Sequence, residues 1–152
     1  MIVRSIKKAG ERPMLTMLSH YNVRTKDWTK TRDFYVKVLG LTEGDRPNFP
    51  FPGHWLYCGK QDVLHITGLD ANSTGANDYL GDREGELQGG GAIDHVAFTA
   101  KDAVAMGKHF KSLGIEARHR RVPNMDLYQI FINDPNGITI ELNFPGENPP
   151  EM

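Results

Sequence analysis

With 152 residues, 39% of them hydrophobic, the chain is long enough for one domain with a packed core and short for two. Its formal net charge of −1, with 18 basic and 19 acidic side chains dispersed along the chain, argues against a nucleic-acid backbone or an anionic membrane as the main partner. No run approaches the roughly 20 apolar residues of a membrane span, and the opening MIVRSIKKAGERP has no apolar signal core, so a cytoplasmic protein is expected.

Taken in order, residues 1–13 read as an extension ahead of a domain over 14–145. A first strand over about 18–25 alternates, with His20, Asn22 and Arg24 on one face. Asp27 is placed to cap a helix whose apolar residues Phe34, Tyr35, Val38 and Leu39 recur at helical spacing, and Gly40 stands where a left-handed residue ends it. The stretch DRPNFPFPGHW, Asp45 to Trp55, is a stiff aromatic loop that either lines an apolar pocket or simply packs. Strand-like runs HWLYCG and DVLHIT follow; the single cysteine, Cys58, reads as a small buried hydrophobe. A Gly- and Asp-rich connection over about 69–91 is a linker or a functional lid.

The plan then repeats. A strand over about 93–99, a helix introduced by Asp102 with Met106, Phe110 and Leu113 along one side and Gly114 at its end, and the runs IEARHR, LYQIFI and ITIEL fill about 92–145. Asp134-Pro135-Asn136-Gly137 makes a turn between the last two runs. The Pro-rich tail over 146–152 extends past the fold. His20 and His95 coincide at an offset of 75, as do Asp27 and Asp102, so the chain consists of two similar modules, about 16–68 and 92–145. Each is strand, helix, then about three strands, which predicts an α+β fold of two βαβββ modules with mostly antiparallel sheets.

The repeat also aligns His65 with Glu141, at an offset of 76. Alternation puts Glu141 on the side of its strand away from Ile140 and Leu142, where a carboxylate needs a partner. Singly, each histidine reads as a polar residue on an exposed strand; together, His20, His65, His95 and Glu141 form two equivalent pairs whose imidazoles and carboxylate suit a divalent metal such as Fe, Mn, Ni, Zn or Co. On the face of His20, Arg24 is the candidate contact for a substrate anion, whereas the run ARHRR reads more readily as a charged edge strand.

The segments HYNVRTKDWTKTRDFYVKVLGL, DVLHI, DHVAF and DPNGITIEL resemble the vicinal oxygen chelate superfamily, the glyoxalase/bleomycin resistance protein/extradiol dioxygenase family, over nearly the whole fold. The resemblance implies a cupped sheet around a metal held at the positions of His20, His65, His95 and Glu141, a small-molecule substrate chelated through adjacent oxygens, and a homodimer. It makes Glu141 and His65 the candidate proton carriers and Asn124 and Tyr128 candidate substrate contacts, to which the residues themselves add Trp55 of the aromatic loop and Arg24. Where glyoxalase I has a second glutamate this chain has His65, which leaves a divalent ion with a formal charge of +1 and favours an anionic substrate. Glyoxalase-like lyase or isomerase chemistry is favoured because Asn124 or Tyr128, and Phe131, stand where extradiol dioxygenases carry their acid-base residues. An Fe(II) dioxygenase is the alternative, with His65 as acid or base, and a non-catalytic drug-binding protein is a third reading.

Overall fold

The computed structural model describes residues 14–70, 75–77 and 87–151; the expected N-terminal extension and most of the expected linker lie outside them. The first module consists of β1 (Tyr21–Thr25), α1 (Trp28–Lys37), β2 (Thr42–Gly44), β3 (Gly53–Cys58) and β4 (Gln61–Gly68), and the second of β5 (His95–Thr99), α2 (Ala103–Ser112), β6 (Arg118–Arg121), β7 (Leu127–Asn133) and β8 (Thr139–Pro145). Each forms a four-stranded sheet, ordered β1-β4-β3-β2 and β5-β8-β7-β6. The β1·β4 and β5·β8 pairs are parallel and the rest antiparallel.

The repeat is exact in register at the centre of each sheet. Asn22 pairs with His65 and Trp55 lies across from His65; Ala97 pairs with Glu141 and Phe131 lies across from Glu141. One departure breaks the likeness. In the β3·β4 ladder Leu56 pairs with Leu64 but Tyr57 pairs with Asp62, so Val63 is an extra residue and β4 is bulged. The β7·β8 ladder runs from Leu127·Pro145 to Asn133·Thr139 without a break.

Local chemistry sets the helix ends. Asp102, at φ 62°, accepts a hydrogen bond from Ala105 N, and the Glu147 carboxylate accepts from Asp102 N and Ala103 N at 2.9 Å, so three amides at the start of α2 are satisfied. Asp27 does not cap α1 as expected from its position. Its ψ of 56° lies outside the extended conformation a capping residue adopts, and the side chain takes no first-turn amide. Gly40 and Gly114 do take the left-handed conformation, at φ 73° and 67°.

Both modules contribute to one core: Val23, Tyr35, Leu56, Leu64 and Ile66 meet Phe110, Ile130, Ile140, Leu142 and Phe144. Polar contacts also tie the modules together. The buried Asp134 carboxylate accepts from the Tyr35 hydroxyl at 2.9 Å and from the amides of Asn136 and Ile138 at 2.8 Å, while the Asn136 side chain donates to Thr31 Oγ1 at 3.0 Å. His109 Nε2 lies 3.1 Å from both the Lys37 and Val38 carbonyls at the end of α1. Cys58, expected to be buried, is exposed, because it is the last residue of β3, paired with Gln61 at the tight Gly59-Lys60 turn.

Candidate metal centre

Four side chains singled out from the sequence occur here as two pairs. In the first module the His20 and His65 rings stack with centroids 3.6 Å apart, and Trp55 stacks on the other side of His65 at 3.8 Å. The stacking continues outward through the Pro-rich loop, where Phe49 lies 6.2 Å from Trp55 and 5.1 Å from Phe51, with the Arg46 guanidinium over both phenyl rings. The loop therefore packs as an aromatic column that ends on His65, and Trp55 is the contact between them. In the second module His95 Nε2 lies 3.1 Å from Glu141 Oε2.

The imidazoles are oriented by their other nitrogens. His20 Nδ1 is 2.9 Å from the Ser19 hydroxyl, and His95 Nδ1 is 2.7 Å from the Asp94 carboxylate, the residue at the equivalent place in the repeat. For His20 this leaves Nε2 towards a ligand, whereas His95 Nε2 already faces Glu141; an oxygen on the other ring nitrogen is how metal-binding histidines are commonly oriented. Glu141 is held in the same way. Its Oε1 accepts from Gln129 Nε2 at 3.0 Å and Asn143 Nδ2 at 2.7 Å, and Oε2 is left towards His95.

Electrostatics separate His65 from His95. Burial pushes the His65 imidazole below its ordinary pKa, partly opposed by its hydrogen bond to Asp62. The hydrogen bond to Asp94, with the nearby Glu141 charge, pushes His95 upward. The His65 hydrogen bond in turn holds the Asp62 carboxyl below the usual carboxylate range.

Within one chain the two pairs do not merge. Among the described residues, the one group of three or more His, Cys, Asp or Glu side chains with donor atoms all within 4.8 Å of one another is His20, Asp62 and His65. No third member of the expected four joins either pair at that distance. Imidazole nitrogens and carboxylate oxygens are nonetheless the donor set that borderline divalent ions take, and His95 Nε2 and Glu141 Oε2, 3.1 Å apart, are of the kind such an ion binds.

The other expected contacts divide. Arg24 lies on β1 beside Asn22, lining a small cavity with Gly89, Asn136 and Ile138. Asn124 is exposed in the β6–β7 turn at φ 62°. Tyr128 is buried in the core with its hydroxyl 2.8 Å from His119 Nδ1, on the face of β7 opposite to the one that reaches Glu141. Gln129 takes that place. Sequence alternation carried the signal, since Gln129 and Phe131 share a face and Phe131 is the cross-strand partner of Glu141. An open pocket of about 570 Å³ lies on this side of the sheet, lined by Asp94, Arg118, Phe131 and Thr139 among others, with the Arg118 guanidinium 4.2 Å above the Phe131 ring.

Known proteins share this arrangement of strands. Glyoxylase I 4 of Arabidopsis thaliana is 23% identical over 137 residues, covering 88% of this chain and 74% of that protein. A lactoylglutathione lyase from Agrobacterium tumefaciens superposes with a TM-score of 0.61 at 24% identity, covering 87% of this chain and 96% of that one. A mutant form of the fosfomycin resistance protein FosX of Listeria monocytogenes, complexed with Mn(II) and a dihydroxypropylphosphonic acid, superposes at 0.62 with 18% identity over 87% of this chain and 94% of its own. An antibiotic-binding protein from Streptomyces, TnmS3, does so at 0.60 with 19% identity, covering 88% and 99%. At these identities the solved structures share the fold, whereas the family model matches residues 17–142 directly. With two βαβββ modules in matching register and that match across most of its length, the chain belongs to the glyoxalase/bleomycin resistance protein/dioxygenase superfamily.

Proposed function

We propose that the protein is a metal-dependent enzyme acting on a small substrate with two adjacent oxygens, and that its site combines His20 and His65 of one chain with His95 and Glu141 of a second copy. The observation that supports this reading is the two pairs in equal register, neither of which gains a member of the other within 4.8 Å in this chain. A two-fold dimer joins complementary halves and generates two equal sites. The divalent ion, of the Fe, Mn, Ni, Zn or Co class, when bound supplies Lewis acidity to the two substrate oxygens.

Glyoxalase-like isomerase or lyase chemistry fits the protein groups best. Glu141 moves the proton: Gln129 and Asn143 fix one of its oxygens, so the other keeps a constant position as the charge changes. His65, buried and kept neutral, serves as the second proton carrier, with its tautomer set by Asp62. Trp55 and Phe131 occupy equivalent places across from His65 and Glu141 and form apolar walls. Arg24, on the strand face expected for His20, is the substrate-anion contact in this reading.

A second reading is supported by the engagement of His65. With one nitrogen on Asp62 and both ring faces covered, His65 is suited to stand outside the ligand set, and His20, His95 and Glu141 then make the two-histidine, one-carboxylate set of non-heme Fe(II) dioxygenases. Metal-free protein titrated calorimetrically with each ion, then assayed for isomerisation of a glutathione hemithioacetal and for oxygen uptake on a catechol panel, decides between them. Turnover of the hemithioacetal is the expected result. Fe(II)-dependent oxygen consumption instead would replace the first reading with the second, and failure to bind any of these ions below millimolar concentration would leave a non-catalytic binder.

A further inference from the structure

We propose that Asp62 is itself a metal ligand, supplying with His20 and His65 a first-module cation site that already contains a carboxylate. The inference rests on the metal-centre reading above and adds to it a residue outside the four positions expected from the sequence. Strict alternation would put Asp62, three residues before His65, on the opposite face of β4. The bulge at Val63 changes that. Asp62 lies across from Tyr57 and His65 across from Trp55, and residues two apart on β3 share a face, so the extra residue re-aims Asp62 onto the face of His65.

Geometry then makes the three side chains a candidate set. Asp62 Oδ2 is 2.7 Å from His65 Nε2, and donor atoms of His20, Asp62 and His65 all fall within 4.8 Å of one another. Neighbouring donors on an ion with bonds of about 2.1 Å are themselves roughly 3.0 to 3.4 Å apart, so this hydrogen-bond contact opens to the spacing of adjacent ligands with a small side-chain shift. The 3.1 Å contact of His95 with Glu141 matches it in the second module. Each module thus offers imidazole plus carboxylate, although the carboxylate enters from different strand positions.

The consequence concerns charge. A divalent ion with three imidazoles and Glu141 alone keeps a formal +1, whereas Asp62 brings the set to neutrality and removes the electrostatic reason to prefer an anionic substrate. It also means that Glu141 is not the only carboxylate, so Glu141 can take up a proton while Asp62 retains its charge.

Cobalt(II) binding to the metal-free protein, followed by calorimetry and visible absorption, tests this. Asp62→Asn keeps an oxygen that can accept from His65 but loses the charge; the expected result is an affinity loss of about 100-fold, at the upper end of what indirect support gives. The same loss is expected in a His65→Phe background, where the ring stack with Trp55 and His20 is kept but the nitrogens are gone. A loss that vanishes in that background would overturn the proposal, since Asp62 would then act only through His65; so would Asp62→Asn binding within about threefold of wild type. Asp62→Cys gives an independent readout that does not depend on a loss: a cobalt–thiolate absorption band in the near ultraviolet, absent from wild type, is expected, and its absence from the folded variant argues against ligation. Glu141→Gln separates the two readings. If it weakens cobalt binding while Asp62→Asn does not, the shared centre stands and Asp62 is not part of it; if wild type binds no cobalt, both fall.

Discussion

Asp94 and Asp62 perform different tasks for the histidines they touch. Asp94 accepts from His95 Nδ1 at 2.7 Å and favours the protonated ring, whereas burial dominates at His65 and favours the neutral one despite Asp62. A raised histidine pKa contributes stability that is complete below the unfolded value of about 6.5 and is lost as pH rises through the folded value. In metal-free protein, the His95 pKa followed by NMR is therefore expected above the ordinary value, and Asp94→Asn should bring it down. The variant should also lose stability at pH 5.5 and little at pH 9, where His95 is neutral in both states; an unchanged titration would show that Asp94 does not set the ring. Gln129 works on the carboxylate instead, donating to both Glu141 and Asn143. Gln129→Leu removes that donor from the strand face of Glu141, and metal affinity measured by calorimetry should fall about 10- to 100-fold, the usual effect of losing a group that orients a ligand. A variant binding as tightly as wild type would mean that Asn143 alone is sufficient.

The β7–β8 hairpin does more than reverse the chain. Through Asp134 it gathers the Tyr35 hydroxyl and two of its own amides around one buried carboxylate, fixing α1 of the first module against the second. Asp134→Ala should cost about 3 kcal/mol in urea unfolding because four donors lose a charged acceptor, and Tyr35→Phe about 1 kcal/mol because one bond is lost. Equal effects of the two would place the energy in the Tyr35 bond alone. The sequence carried the turn, since Asp134, Pro135 and Gly137 suit it locally, but Asp134 reaches α1 through a partner 99 residues away, which no local pattern encodes. The same distinction explains the rest. Modules, the sequence of elements along each module and the pairing of His20 with His65 and of His95 with Glu141 follow from periodicity and repetition, because alternation ties side-chain direction to residue number, whereas the order of strands across each sheet does not. Tyr128 reads as a site residue from its nearness in sequence to the final hairpin, and alternation places it in the core. Asp62 escapes for the opposite reason: alternation fails at the Val63 bulge, and the ladder with β3 is needed to find it. Asp27 has the residue type of a cap without the backbone conformation for it.

For the whole molecule the question is whether the two half-sites become one. Met14, Leu15, Met17 and Leu18 precede His20 and are exposed, and exposed Ile93 precedes His95. The four apolar side chains ahead of His20, with Ile93 ahead of His95, are surface that an assembled dimer would cover. Mixing of impaired chains tests the assembly directly. His20→Ala damages one half-site and Glu141→Gln the other, so neither homodimer should retain cobalt through gel filtration. In a shared-site dimer made of both chains, one site collects both lesions and the other collects none. Random exchange of subunits makes about half of the dimers mixed, so about a quarter of the wild-type cobalt content should return, together with the intact-site spectrum. A site built inside a single chain predicts no recovery, because every chain in the mixture keeps its own lesion. Mass measurement by light scattering fixes the stoichiometry in the same samples. Recovery in dimers thus requires His20 of one chain to serve the same ion as Glu141 of the other, and a monomer that holds cobalt as tightly as the dimer would exclude it.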